Sequence, residues 1–537
     1  MSRAPSKKVR LGQFYTSTEV AEFMVRLADA PPKARVLEPG CGEGAFLEAL
    51  LAGGYRDIVG YDVDPQNLRV IQQRFGDRID ARLASFLDAP REETFDLVIG
   101  NPPYVQWNNI DPEIREKLRS DPFWKELSNG EWDLLYAFII WSVEKLRDGG
   151  ELVFIVPYNW FNSTYAASLR EYLLEHGSFE ALIHFSEYKL FEDCAPNALI
   201  FKYRKDGGEG QGRLVPVAEF EGRRGETSEL IADLDSHFPK LDPARPSELE
   251  VGEWRFFTSP HPRRGELWYL ATPSEEQAVR AVEAATGGAV LEDDWTVAVG
   301  LVSGYDQAYL LSDEEYRKLT PAEQRLVHCF VKARSCQPYH LGHTARLVFP
   351  DEVETEDELE QLANLCDKLT DHRDKLLRRY GAQEKQWWRW ATVRNLDVFR
   401  RHRRKPKIFV PCIDRSKVSR FCITERDVLG AGDVLCIVPR SSEIRESPYY
   451  LLGWLNSQPV RSWYRIKGSR TGHRTRYTQA YVRRMPLRRI DWDSAEEVER
   501  HDAIVEAVKR RLSLADPSEA TKVEEQINEL INGLLKN

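Results

Sequence analysis

No stretch of this 537-residue chain approaches the ~18 consecutive apolar residues of a membrane span. Its opening, MSRAPSKKVRLGQ, carries positive charge but lacks the apolar segment of a secretory leader. The eight cysteines include no C-x-x-C pair, which suits reduced thiols and argues against a disulfide framework. Together these absences predict a cytoplasmic protein. Cys329, Cys336, His340 and His343 lie close in sequence but match none of the common zinc spacings, so no metal is expected. Solenoid-type repeats are missing as well. A net charge of -10 excludes indiscriminate attraction to nucleic acid, although local patches decide binding more than the total does.

What is present is the composition of a folded protein: 42% apolar, 11% aromatic and 30% charged residues. The length exceeds what one core supports, so two or three domains are expected. Between residues 35 and 204 short β-rich runs alternate with helical patterns. The strands fall at 35–37, 58–61, 79–83, 96–99, 152–156, 181–185 and 198–203. Continuous apolar runs such as LVFIV indicate strands covered on both faces, hence a doubly wound, mostly parallel α/β sheet. The polar, glycine-rich DGGEGQG at 206–212 breaks the pattern and reads as the start of a linker. Two amphipathic helical patterns meet at Asp516 and Pro517 near the end of the chain.

VLEPGCGEGAFLEAL, residues 36–50, is a strand entering a glycine turn and then a helix. Gly40, Gly42 and Gly44 permit close backbone approach to a ligand, beside the free N–H groups of the helix start. About twenty residues past that turn, Asp62 ends the next strand, where a carboxylate accepts two ribose hydroxyls. Asp64, followed by Pro65, reads instead as a helix cap. After the strand FDLVIG comes Asn101-Pro102-Pro103-Tyr104. Two prolines hold an amide oxygen and a backbone carbonyl rigidly at a strand end, and the tyrosine adds an aromatic face.

Glu38-Pro39-Gly40-Cys41-Gly42 with Asp62 resembles the first two motifs of S-adenosylmethionine methyltransferases, and Asn101-Pro102-Pro103-Tyr104 resembles their catalytic motif. The chain is similar to gamma-class, TaqI-like DNA adenine-N6 methyltransferases, in which a methionine-binding segment precedes the glycine turn, as Gly12-Gln13-Phe14-Tyr15-Thr16 does here. The resemblance implies a seven-stranded Rossmann-like methyltransferase sheet, then a mixed α+β specificity domain and C-terminal helices. The expected divisions are a catalytic domain at 1–205, a linker at 206–248, a target-recognition domain at 249–490 and C-terminal helices at 491–537.

It further implies that Thr16 and Glu38 hold the methionine end of the cofactor S-adenosyl-L-methionine, with Gly40 and Gly42 in the turn and Asp62 on the ribose. Phe86 and Phe138 would flank the cofactor adenine, and Tyr104 and Phe191 the target base. Where the family commonly has an acid before that phenylalanine, this chain has Ser85, so either the serine hydroxyl or Asp88 takes the acid's place. Asn101 and Pro102 would accept the two hydrogens of adenine N6, localising its lone pair on a base flipped out of double-stranded DNA.

The basic run at 400–407, with Arg400, Arg401, Arg403 and Arg404, and the acid-free stretch 461–489, with Lys467, Arg470, Arg474 and Arg476, are the candidate DNA contacts. The expected partners are double-stranded DNA, bound as a monomer, and a separate restriction endonuclease, with no nuclease domain in this chain. RNA-base and protein-glutamine methyltransferases use the same Asn-Pro-Pro-Tyr geometry but usually carry a compact N-terminal substrate domain, whereas here the catalytic motifs come first. Cytosine-N4 enzymes more often carry Ser-Pro-Pro-Tyr. A catalytically silent DNA-binding subunit has no need of Asn101 or Asp62.

Overall fold

A computed structural model describes residues 16–127, 132–191, 197–208, 210, 212–379, 386–416, 418–471 and 474–535. The chain forms two compact units, Met1–Glu276 and Gln277–Asn537. No helix among the described residues is long and apolar enough to cross a membrane.

The first unit is organised by one sheet. Its strands are β1 (Arg35–Glu38), β2 (Asp57–Asp62), β3 (Asp80–Leu83), β4 (Phe95–Gly100), β5 (Leu146–Pro157), β6 (Ser178–His184), β7 (Ala198–Arg204), β8 (Leu214–Phe220), β9 (Glu248–Val251) and β10 (Trp254–Pro260). They lie in the order β3-β2-β1-β4-β5-β7-β6-β8-β10-β9. The five strands from β3 to β5 are mutually parallel, and β7 runs antiparallel to both its neighbours. All seven expected strands are present, but the sheet holds ten.

The extension corrects the linker reading. The described glycines between β7 and β8 include Gly207, Gly208 and Gly212, all at positive φ. Residues 206–248 then supply β8 and the helix Thr227–His237, so the first unit runs on through β10. A glycine-rich turn inside a sheet and a flexible linker share the same residue types, which is why the stretch misled.

Alternation within the strands divides the interior into two cores, one on each face of the sheet. Val36, Leu97 and Ile99 enter the core shared with the helices Thr18–Leu27 and Ala45–Ala52. Leu37 and Val98 enter the other, with the helix Leu134–Lys145, which is buried almost all round. The chain leaves β1 outward toward β3 and then returns to β4 on its other side. This makes a topological switch point, with the Pro39–Gly44 turn and Asn101–Tyr104 both opening at its C-terminal edge.

The second unit is mixed α+β, with sheets of five, four and three strands. The smallest joins Ile413–Asp414 to the hairpin Ser469–Thr471 and Arg474–Arg476. The two C-terminal helices are Ala495–Ser513 and Pro517–Leu534, the second capped by Asp516, which accepts the Ser518 N–H at 2.7 Å. They share a core with the helix Pro448–Asn456. Gly453 permits close packing there: a Cβ at that position would lie 3.0 Å from Val508 Cγ2 and 3.1 Å from Ile504 Cγ2.

Candidate active site

At the end of β1 the backbone bends through Gly42 (φ 49°) and Gly44 (φ 90°), the latter capping the helix Ala45–Ala52 in a left-handed conformation. A side chain at Gly44 would also strike Phe75, 2.7 Å from its Cβ position. Asp62, at the end of β2, fastens this turn. Its Oδ2 accepts the Gly42 N–H at 2.8 Å and Asn67 Nδ2 at 3.1 Å, while Oδ1 accepts the Asp64 N–H at 2.7 Å. A carboxylate offers about four acceptor positions, so one remains beyond these three donors. Asp64 caps the helix Pro65–Phe75 as expected, accepting the Gln66 N–H at 3.0 Å. Val63, between the two acids, is 54% exposed despite being apolar. The sequence reading missed it, although β alternation next to two buried acids is a signal that finds it.

Glu38 is 2% exposed, and its Oε2 has no hydrogen-bond partner among the described residues. Burial, and secondarily the negative charge of Asp62, push its carboxyl well above the ordinary range. A buried, unpartnered carboxyl oxygen is costly unless a ligand completes it, and a cation is the complement that restores its charge.

After β4, Asn101 is held between two hydroxyls. Its Nδ2 donates to Thr16 Oγ1 at 3.2 Å, and its Oδ1 accepts from the Tyr104 hydroxyl. That hydroxyl also lies 2.9 Å from the Ile155 carbonyl oxygen on β5. Pro102 is buried, and Pro103 Cδ lies 4.0 Å from where a Gly40 Cβ would stand, so the glycine turn runs alongside the Asn-Pro-Pro-Tyr segment. Thr16 thus meets Asn101 in space; Gly12 to Tyr15 lie outside the described residues.

Phe86 and Phe138 are brought together, their ring centroids 5.5 Å apart, with the Tyr61 ring 6.0 Å from Phe86. Ser85 is half-buried at the start of the short turn Phe86–Asp88. Asp88 is exposed and pairs with Lys117, which occupies the acid considered as a substitute for Ser85's missing charge. Phe191 is buried in the core on one face of the sheet, whereas Tyr104 packs against the core on the other. Glu192 and Asp193, which suggested a loop there, lie outside the described residues.

Asp29, Glu151 and Glu180 form the acidic cluster most like a metal site among the described residues. Two cations already occupy it: Lys202 Nζ lies 3.3 Å from Glu180 and 3.7 Å from Glu151, and Arg204 is 2.6 Å from Glu151.

In the second unit the basic candidates differ among themselves. Arg400, Arg401, Arg403 and Arg404 are all exposed; Arg400 lies 3.6 Å from Glu352, and Arg403 pairs with Asp427. Lys407 shapes this run from within. Fully buried, it donates to the carbonyls of His402, Arg403, Lys405 and Arg426 at 2.8–3.3 Å, folding the preceding residues around its ammonium. In the hairpin, Arg474 and Arg476 lie on one face, and Arg470 stands opposite Thr475. Lys467 is 2.7 Å from Glu283. The stretch 461–489 contains no acid, yet folding brings Glu283 to Lys467, Glu497 to Arg488 and Asp294 to Arg489.

The family model Eco57I restriction-modification methylase matches residues 62–191. The type II methyltransferase M.HindII of Haemophilus influenzae is 30% identical over 521 residues, covering 95% of each chain. M.MjaIV of Methanocaldococcus jannaschii, another type II methyltransferase, is 30% identical over 231 residues, 43% of this chain and 73% of its own. The solved structure of the type IIL restriction-modification enzyme MmeI in complex with DNA covers 96% of this chain and 72% of its own, with a TM-score of 0.59 and 13% identity, a likeness of fold alone. With a relative aligned over almost the whole of both chains, the protein belongs to the type II DNA methyltransferases of restriction-modification systems.

Proposed function

We propose that this enzyme transfers a methyl group from S-adenosylmethionine to N6 of an adenine flipped out of duplex DNA. The observation that carries the reading is Asn101, a side-chain amide fixed between Thr16 and Tyr104 at the end of β4, beside the glycine turn.

The residues present fit the cofactor. The orphaned oxygen of Glu38 takes the ammonium of the methionine end. Asp62 retains an acceptor position for a ribose hydroxyl. Phe86, Phe138 and the uncovered Val63 supply apolar walls for the adenine, with the Ser85 hydroxyl at their edge. When bound, S-adenosylmethionine supplies a methyl group on a sulfonium, a leaving group that needs no acid.

Adenine N6 is a weak nucleophile because its lone pair is delocalised into the ring. Asn101 Oδ1 and the Pro102 carbonyl accept its two hydrogens and turn the pair out of the ring plane. The bound cofactor would supply the methyl carbon and retain the C–S electron pair on its sulfur, and the extra proton left on the adenine nitrogen would pass to water. The Tyr104 ring gives the flipped base a face to lie against. The exposed arginines at 400–404 and those of the hairpin supply phosphate contacts, so that the protein acts as a monomer on DNA and protects sites from a separate endonuclease.

Expression in cells lacking adenine methylation, followed by modified-base sequencing, tests this directly. N6-methyladenine at one short motif is expected. Asn101→Ala should erase it, with single-turnover transfer about 100- to 1000-fold slower, the scale for losing one preorganised transition-state contact. Methylation on cytosine N4 instead, or full activity in Asn101→Ala, overturns the proposal.

A further inference from the structure

Tyr104 carries more than an aromatic face. Its hydroxyl sits on Asn101 Oδ1, the acceptor assigned above to the target amino group, and within 2.9 Å of the Ile155 carbonyl oxygen. A phenol has one proton to donate and here faces two acceptors. We infer that the Tyr104 hydroxyl is a place-holder for the adenine amino group: it satisfies Asn101 Oδ1 while the pocket is empty and turns to the Ile155 carbonyl when the flipped base arrives. The inference rests on the reading of Asn101 as the N6 acceptor and adds to it a hydrogen-bond exchange.

The exchange needs only rotation about the phenol C–O bond, with the ring unmoved. No half-buried acceptor is abandoned at either stage, because Oδ1 trades O–H for N–H while the hydroxyl trades one carbonyl-type oxygen for another. Thr16 Oγ1 holds the Nδ2 end of the amide at 3.2 Å, so the Asn101 oxygen stays aimed at the exchange point throughout. A base without an exocyclic amino group at this position has nothing to offer Oδ1 in return. Such a base leaves the hydroxyl on Oδ1, so the hydroxyl narrows the binding difference between bases with and without the amino group while keeping Oδ1 satisfied until the reacting group arrives.

The test uses duplexes bearing the motif mapped by sequencing, with either adenine or unsubstituted purine, which lacks the amino group, at the target position. Binding constants for the pair give an adenine-to-purine preference for each variant. Wild type should show a small preference, because the amino group gains a contact that the hydroxyl gives up. Tyr104→Phe keeps the ring but removes the competitor, so the preference should rise by about 3- to 10-fold, the worth of one net hydrogen bond. In Asn101→Ala, adding Tyr104→Phe should change nothing, since there is no oxygen to hold. Equal cofactor affinity in wild type and Tyr104→Phe verifies that the variant is folded. A purely structural hydroxyl predicts an unchanged or smaller preference in Tyr104→Phe, and that result overturns the exchange while leaving N6 methylation intact. Failure of the functional reading looks different: wild-type enzyme then leaves no N6-methyladenine at all.

Discussion

The glycine-turn site of the first unit and the basic run at 400–404 of the second use polar groups in opposite ways. Around the glycine turn, polar groups are buried or half-buried and cross-linked: Asp62 takes three donors, Asn101 lies between two hydroxyls, and Glu38 is sealed in with its Oε2 unmet among the described residues. In the second unit the arginines at 400–404 are exposed, and the acids near Arg400 and Arg403 are solvent-facing as well. Burial fixes geometry to fractions of an ångström at a cost in desolvation, which suits a reaction with one productive alignment. Exposed guanidinium groups keep their hydration and adjust, which suits a polyanion whose phosphates are read as charge rather than shape. Substitutions in the first unit should therefore act through fixed geometry and protonation, and those in the second through ionic strength.

The largest effect on cofactor affinity is expected at Asp62. Asp62→Ala removes the acceptor for three donors as well as a ribose contact, so cofactor affinity should fall about 10- to 100-fold, the worth of a charge-assisted hydrogen bond of ~1.5–3 kcal/mol. Thermal stability without cofactor should fall too, because the Gly42 and Asp64 N–H groups lose their partner. Calorimetry alongside a melting curve checks both. Unchanged cofactor affinity with reduced stability would make Asp62 a brace for the turn and nothing more.

Glu38 comes next, through protons. Its carboxyl is raised well above the ordinary value by burial first and by Asp62 second. A folded state that holds the proton more tightly than the unfolded chain gains stability below the ordinary carboxylate range and loses it as pH rises through the raised value. An ammonium partner needs the ionised form. Cofactor binding below that raised value should therefore release one proton and weaken by about tenfold per pH unit. Titration calorimetry in buffers of differing ionisation enthalpy counts the proton, and Glu38→Gln should abolish the release. A proton released equally by Glu38→Gln would assign the linkage to another group.

How much of this was legible in the sequence follows from how local each signal is. Apart from β3, a half-exposed edge strand, the strands from β1 to β7 were readable because burial on both faces leaves continuous apolar runs. The segment that became β8, LVPVAEF, was not: it follows a glycine cluster and carries Pro216, which reads as a strand breaker yet pairs with Thr258 in the sheet. The glycine turn, Asp62 and Asn101 to Tyr104 were legible because their chemistry depends on spacing within a few residues. The contact between Thr16 and Asn101 spans 85 positions and was implied only through the order of motifs in a resembling family. Val63 escaped notice because its only signal, alternation between two acids that turn out to be buried, is weak in the sequence alone. Charge compensation was least legible of all, since the partner of Lys467, Glu283, is 184 residues away.

That last case gives the smallest and sharpest prediction. Two kinds of cation share the stretch 461–489. Arg476 is exposed and Arg474 partly so, on one face of the hairpin; Lys467 is largely buried and ion-paired. If phosphate contacts come from the hairpin face, replacing Arg474 and Arg476 together by Gln should weaken DNA binding. It should also lower the log–log salt slope by about 1.8, two contacts at about 0.9 each. Lys467→Gln should leave that slope where it was. The substitution strands little, because Glu283 keeps the Trp463 indole N–H at 3.0 Å, and a partly solvated ion pair is worth at most about 1 kcal/mol. Filter binding across a salt series, run on all three proteins with the mapped duplex, separates the outcomes. Loss of ~0.9 from the slope in Lys467→Gln would mean that the lysine leaves Glu283 for a phosphate when DNA arrives. Burial in the free protein would then no longer distinguish the cations that brace this unit from those that touch its substrate.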